Sequence, residues 1–332
     1  MKKFINDPDS VVDEMVEAFA QVHSKYVRKL ENVRTLVRKD APVKGKVGLV
    51  SGGGSGHKPA FIGYIGEGLL DAVAVGEIFT SPPPNACIEA AKAADSGNGV
   101  LFLLGNYAGD VMNFEMAANL AEAQGLTVAK SISTDDVASA PKGEEEKRRG
   151  VVGSMLCWKV AGAKAEMGGT LAECKEVADR CNANTRTIGV ALAPCTVPAK
   201  GTPTFTLEDD EMEYGVGHHG EAGIEKTGIL PVDEVVQRMT DEIIADLPFA
   251  SGDRVVLMIN GLGGTPPTEQ YLAYRKARQV AEAAGLTVAI SFVGEYFTGL
   301  EMAGFSVTLS RLDDELEQLI RAKADTCMFK MT

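Results

Sequence analysis

Two of the chain's four histidines, His218 and His219, stand side by side in Gly217-His218-His219-Gly220-Glu221. Imidazole is the side chain best suited to act near neutral pH as base, nucleophile or metal ligand. Glycines on both sides let the backbone take positive φ and approach a ligand closely. Glu213 and Glu221 flank the pair and can orient a ring or simply face solvent. A third histidine, His57, closes the run Ser51-Gly52-Gly53-Gly54-Ser55-Gly56-His57-Lys58-Pro59, and Asp110 closes Gly105-Asn106-Tyr107-Ala108-Gly109-Asp110. Phosphoryl transfer to an alcohol needs a carboxylate or imidazole within hydrogen-bond reach of the hydroxyl. His57 and Asp110 are the candidates for that work. Each also has a plain structural reading: His57 can cap a helix beginning at Pro59, and an aspartate just before Val111 suits a helix N-cap.

The glycine run invites a nucleotide reading and fails both usual tests. A phosphate loop needs Gly-Lys followed by Ser or Thr, but His57 precedes Lys58 and Pro59 follows. A dinucleotide fingerprint begun at Gly52 needs glycine where His57 stands. An anion-cradling turn ahead of a helix stays open. With no other nucleotide motif, a free-standing nucleotide-dependent sugar kinase is disfavoured.

These residues sit on an alternation of strands and helices. Apolar runs at 46–50, 72–76, 100–104 and 127–131 read as buried strands, with helices expected over 85–94 and 111–124. An amphipathic helix is expected over 9–32, and a long helical region broken near 167–169 runs to about 184. The polar stretch 143–150 reads as a charged surface loop. Further strands are expected at 188–192, 255–260, 288–292 and 305–309, and helices at 232–247, from 267 to 284 and 313–324. Continuous apolar strands indicate an α/β protein with mainly parallel sheets covered by helices. Ligands of such sheets lie at the carboxyl ends of the strands, which selects the loops 51–59, 76–84 and 105–113.

Residues 121–131, Ala-Glu-Ala-Gln-Gly-Leu-Thr-Val-Ala-Lys-Ser, nearly recur at 281–291 as Ala-Glu-Ala-Ala-Gly-Leu-Thr-Val-Ala-Ile-Ser. Each copy closes a helix and opens a strand. The echo predicts two related α/β domains, 1–185 and 186–332, the second carrying His219.

A length of 332 residues suits two domains. A formal net charge of -13 argues against nucleic acid or an anionic membrane surface as partner. The N-terminus has no apolar run after its lysines, and no stretch is long and apolar enough to span a bilayer. Six scattered cysteines show neither zinc-site nor disulfide spacing, so no metal site is expected and free thiols in a cytoplasmic protein are.

Four motifs converge on one family. Gly52-Gly53-Gly54-Ser55-Gly56-His57, the segment Asn106-Tyr107-Ala108-Gly109-Asp110-Val111-Met112-Asn113-Phe114-Glu115, Cys195-Thr196-Val197-Pro198 and Gly217-His218-His219-Gly220-Glu221 together resemble the K subunit of dihydroxyacetone kinase along essentially the whole chain. The resemblance implies a small ketose held as a covalent hemiaminal on His219, with His218 where the family usually has an aliphatic residue. It implies that Asp110 takes the proton of the accepting hydroxyl and His57 positions it, with Gly53, Gly54 and Ser81 contacting substrate. It implies no cofactor in this chain: ADP or ATP with magnesium belongs to a separate L subunit, with a phosphotransferase-system M protein as a further partner, and the K subunit is typically a homodimer. Lys58, Phe61 and Gly105 stand where many members have glutamate, histidine and lysine. That leaves open erythrulose as the ketose, or a non-catalytic dihydroxyacetone-binding coactivator paralogue.

Overall fold

The computed structural model describes residues 2–332. The chain opens with α1 (Val11–Val22), β1 (Val27–Lys29), β2 (Thr35–Arg38) and β3 (Gly48–Ser55). Next come β4 (Gly66–Glu67), β5 (Ala72–Ile78), α2 (Pro84–Ala94), β6 (Val100–Gly105), α3 (Ala108–Ala123) and β7 (Val128–Ser133). After α4 (Ser154–Glu166) and α5 (Leu171–Ala183) follow β8 (Thr185–Ala193), β9 (Glu211–Tyr214), β10 (Glu225–Gly228) and α6 (Val232–Asp246). The last stretch holds β11 (Arg254–Gly261), α7 (Pro267–Ala283), β12 (Thr287–Gly294), β13 (Ala303–Leu312), α8 (Asp314–Arg321), β14 (Ala324–Thr326) and β15 (Lys330–Met331).

Two units share this chain, and neither is one continuous stretch. The first holds residues 2–133, 154–180 and 316–332; the second holds 134–153 and 181–315. This replaces the single boundary expected at 185. Backbone pairing, which composition does not encode, decides membership: the C-terminal β14 pairs with β4 of the first unit, while the Thr187 N–H donates to the Asp135 carbonyl at 2.8 Å in the second.

In the first unit the sheet order is β1-β2-β5-β3-β6-β7. β5, β3, β6 and β7 run parallel, and β1 and β2 close one edge antiparallel. The second sheet, β10-β9-β8-β13-β11-β12, is mixed, with β11 and β12 as its parallel pair. The α/β class therefore holds, and the parallel arrangement is concentrated in the first sheet. A strand buried on both faces is apolar throughout whichever way its neighbour runs, so the sequence pattern carries little about direction.

The first core explains why the site elements sit where they do. Val50, Ala74, Phe102 and Leu104 of the sheet pack under the alanine face of α2 and under Phe114, Ala117 and Ala121 of α3. Phe114 is wholly buried, its ring 5.1 Å from Phe102 at 78°, and cutting it to alanine would cost about 3–5 kcal/mol. Gly52 makes room for that ring: a Cβ there would lie 3.0 Å from Phe114 and 2.5 Å from the Ala74 carbonyl.

The repeated junction is built the same way twice. Gly125 (φ +89) and Gly285 (φ +84) end α3 and α7 in the left-handed region. In both, the glycine N–H donates to the second-last helical carbonyl, Glu122 or Glu282, and the following leucine N–H to the third-last, Ala121 or Ala281. This is a Schellman closure, which glycine makes without Cβ strain. Elsewhere the expected opening helix stops at Val22, because residues 27–29 pair with β2 instead. Among the described residues no helix is long and apolar enough to cross a membrane.

Candidate functional site

The glycine run is not the loop before a helix that the sequence suggests. Residues through Ser55 remain in β3, wholly buried, and the chain then turns through His57 into a 3₁₀ helix, Ile62–Tyr64. No α-helix N-terminus backs the glycines, so the expected anion cradle and a helix cap by His57 are both absent. The glycines serve close approach instead. A Cβ on Gly53 would meet the Phe61 ring at 2.5 Å, and one on Gly54 would meet the Phe79–Thr80 backbone at 2.6 Å. Phe79 takes φ +56, a left-handed conformation unusual for a bulky residue, and so folds the chain after β5 back over the end of β3. His57 is wholly buried, stacked on Phe79 at 5.0 Å and 25° and edge-on to Phe61 at 6.2 Å and 83°. Burial pushes the neighbouring Lys58 ammonium down to about 8.

Asp110 lies in the first turn of α3, which begins at Ala108, so it is a helical residue and not the cap expected of it. Its side chain shares a helix face with Phe114, four residues on, and is buried with it. A carboxylate in a helix's first turn is favoured by the macrodipole. Ser81 follows β5 and accepts from the Asn113 amide at 3.2 Å, tying the 79–82 turn to α3. Gly53, Gly54, His57, Ser81 and Asp110 thus gather at the carboxyl ends of β3, β5 and β6, adjacent parallel strands of one sheet.

His219 lies in the second unit, on a turn between β9 and β10. Its backbone N–H donates to Glu221 Oε2 at 3.0 Å, and its Nδ1 lies 3.1 Å from Glu221 Oε1. Burial works against ionising Glu221, but the hydrogen bond with His219 and the charge of Arg149 outweigh it and hold the carboxyl down to about 2. A carboxylate only accepts, so Nδ1 carries the proton and, in the neutral ring, Nε2 carries the lone pair. Glu213 plays a different part: buried, it accepts from the Gly223 N–H at 2.8 Å and braces the return of the turn. Gly220 takes φ +71, a conformation the turn obtains without strain from glycine.

Three contributors escaped the sequence reading. Arg149, placed there in a surface loop, pairs with Asp136 at 2.7 Å, donates to the Gly215 carbonyl at 3.1 Å and lies 3.9 Å from Glu221. Its neighbour Arg148 is fully buried in a bidentate pair with Asp246 at 2.8 and 2.6 Å. Charged runs ordinarily face solvent, and only the distant Asp246 reverses that here. Phe79 gave no pattern at all, being a lone aromatic after a strand. All six cysteines are free thiols, five of them buried.

The fold and these side chains define a class first: an α/β protein that carries a buried histidine and aspartate at the head of a parallel sheet and a carboxylate-bound histidine on a glycine-flanked turn. A match to the Dak1 domain over residues 17–328 places the chain within it, and the chain belongs to the Dak1 domain family. It is 45% identical to a PTS-dependent dihydroxyacetone kinase, dihydroxyacetone-binding subunit from Listeria innocua, covering 95% of each chain. It is 40% identical to an L-erythrulose kinase from Pectobacterium atrosepticum, covering 99% of this chain and 56% of that one. Among solved structures, the dihydroxyacetone kinase of C. freundii in complex with AMP-PNP and Mg2+ superposes with a TM-score of 0.88 at 32% identity, covering 99% of this chain and 61% of that one.

Proposed function

We propose that this chain is the ketose-binding subunit of a dihydroxyacetone kinase, holding its substrate covalently on His219 while a separate protein supplies the phosphoryl group. The observation that carries the reading is the Glu221 carboxylate on Nδ1 of His219, which leaves Nε2 as the nucleophilic nitrogen. Its lone pair forms the bond to the ketone carbon, the carbonyl π electrons move to oxygen, and that oxygen takes a proton from solvent. The ring becomes cationic as it does so, opposite a carboxylate already held ionised. Glycerol offers no carbonyl to attack, so the tether selects ketoses that hydroxyl contacts alone would separate poorly from it. Asp110 then takes the proton of the accepting hydroxyl, and His57 positions that hydroxyl through a hydrogen bond. Its oxygen attacks the donor's terminal phosphorus as the bond to the bridging oxygen breaks and the nucleoside diphosphate leaves with that electron pair. Gly53, Gly54 and Ser81 complete the substrate contacts.

The donor in this reading is a nucleotide-bearing L subunit with ADP or ATP and magnesium, recharged by a phosphotransferase-system M protein. The "PTS-dependent" name of the Listeria relative supports that choice. A homodimer in the cytoplasm completes it, the cytoplasmic setting alone being supported by the free thiols. A second reading, phosphorylation of erythrulose, is favoured by the 40% identity to the Pectobacterium enzyme.

Intact-mass measurement after incubation with dihydroxyacetone should show a labile adduct, and a coupled assay with an L subunit should show phosphorylated product. Asp110→Asn should keep the adduct and lose about 10²–10⁴-fold in turnover. Loss of the adduct in that variant would count against the base assignment. An adduct with no product in the parent protein would identify the coactivator paralogue, and a panel of short ketoses separates dihydroxyacetone from erythrulose.

A further inference from the structure

His218 is the residue the proposed chemistry leaves idle, yet it is the more enclosed of the pair. It is 4% exposed, while the His219 side chain keeps 17%. One face of the His218 ring stacks on Phe297, with centroids 4.3 Å apart and planes at 21°. The same ring meets His219 nearly at right angles, 4.7 Å between centroids and 85° between planes. Stacked and T-shaped arrangements are the two favoured geometries for aromatic pairs.

The wall behind His218 is rigid for identifiable reasons. Asn260, at the end of β11 and 1% exposed, accepts through Oδ1 from the backbone N–H groups of Tyr296 and Phe297 at 2.9 and 2.8 Å. Its Nδ2 donates to the Phe297 carbonyl at 2.9 Å. One side chain therefore fixes both ends of the peptide that carries the stacking ring. Gly299 lets the following turn lie against the His218 backbone, since a Cβ there would stand 2.6 Å from the His218 carbonyl oxygen. A small, mostly apolar cavity of about 10 Å³, lined by His218, Phe297, Val152, Val216, Leu262 and Asn260, sits beside the ring. A space that size is too small to hold a second position of the ring.

His219 is thus held on two sides: Glu221 grips Nδ1, and the His218 ring abuts the imidazole. A hydrogen bond at one nitrogen still permits the ring to swing about it, and a packed aromatic wall removes that freedom. We propose that His218 is a positioning residue, clamped by the Asn260-braced Phe297, that restricts His219 to the orientation in which Nε2 meets the substrate carbonyl. The inference rests on the tethering reading above and gives a reason for a histidine where the resemblance leads one to expect an aliphatic residue: a flat ring fits between two others.

The test measures adduct formation with dihydroxyacetone by intact mass, alongside thermal unfolding, in His218→Ala, His218→Phe and His219→Ala. A misplacement of about 1 Å costs on the order of 100-fold in a positioned reaction. His218→Ala should therefore weaken adduct formation about 10- to 100-fold while substrate at saturating concentration restores much of the phosphorylation, so KM moves more than kcat. His218→Phe, which keeps a flat ring, should stay within about threefold of the parent. Should the alanine variant not fold, His218→Ser replaces it with the same expectation. A parent-like adduct in a folded His218→Ala would overturn the proposal, and so would its loss in His218→Phe, which would indicate a chemical role for the imidazole itself. Persistence of the adduct in His219→Ala would overturn the tethering reading instead.

Discussion

His57 and His219 are the same side chain placed in opposite surroundings. His57 is wholly buried against two phenylalanines at the end of a parallel sheet. His219 stands partly open on a turn, with a carboxylate on one nitrogen. Full burial restricts a ring and disfavours charge upon it; an adjacent carboxylate supports charge. The first environment suits a hydrogen-bonding and positioning role, the second a nucleophile that becomes cationic as it bonds. What differs is the packing around the imidazole, not the imidazole.

The sharpest way to break this contrast is to remove each ring in turn. His219→Ala should abolish the adduct outright and lower thermal stability only by what its contact with Glu221 contributes, less than His57→Ala does, both read on one preparation. His57→Ala should do the reverse: the adduct persists, phosphoryl transfer fails, and stability falls by about 2–5 kcal/mol, as large-to-small core changes do. If His57→Ala proves as stable as the parent in denaturant titration, the buried, packed character of that site is wrong.

A smaller effect separates the glycines on the two sides. Gly54→Ala drives a methyl against the Phe79–Thr80 backbone at 2.6 Å, and overpacking of that kind costs about 1–3 kcal/mol. Gly217→Ala meets the mobile ends of Arg149 and Glu221, which can shift. It should therefore cost less in stability than Gly54→Ala and more in adduct formation, because Glu221 moves with it. Equal losses in both assays would remove the distinction.

The smallest effect is a pH dependence. The Glu221 carboxyl is held at about 2 against an ordinary 4.5. A lowered folded value means the stabilisation is complete above about 4.5 and lost as pH falls toward about 2. Relative to the parent, Glu221→Gln should be less stable at neutral pH, and the gap in thermal midpoint should close on acidification through that window. A gap that widens toward low pH would show that Glu221 is not held ionised.

Much of the architecture was legible because apolar periodicity and punctuation are local. Most of the expected strands and helices fall close to their positions, the opening helix being shorter and the strands β1, β2, β4, β9, β10, β14 and β15 unanticipated, and the junction at Gly125 and Gly285 repeats in structure as it does in sequence. The glycine run misled because three consecutive glycines read as a flexible loop, whereas each here admits a specific neighbour against a strand. Arg148 and Arg149 misled because their partners lie far along the chain.

The sequence by itself determined the α/β class, the repeated helix–glycine–strand junction, the four histidines and the motifs that resemble one family, since each depends on residues close together in the chain. Tertiary structure alone decided that the chain passes four times between units, that Glu221 meets the His219 ring while Glu213 braces the turn, and that Asp110 is buried beside Phe114. Those outcomes depend on which residues meet across long separations. Hydrogen-bond pairing and close packing fix such meetings, and neither is written in any local pattern.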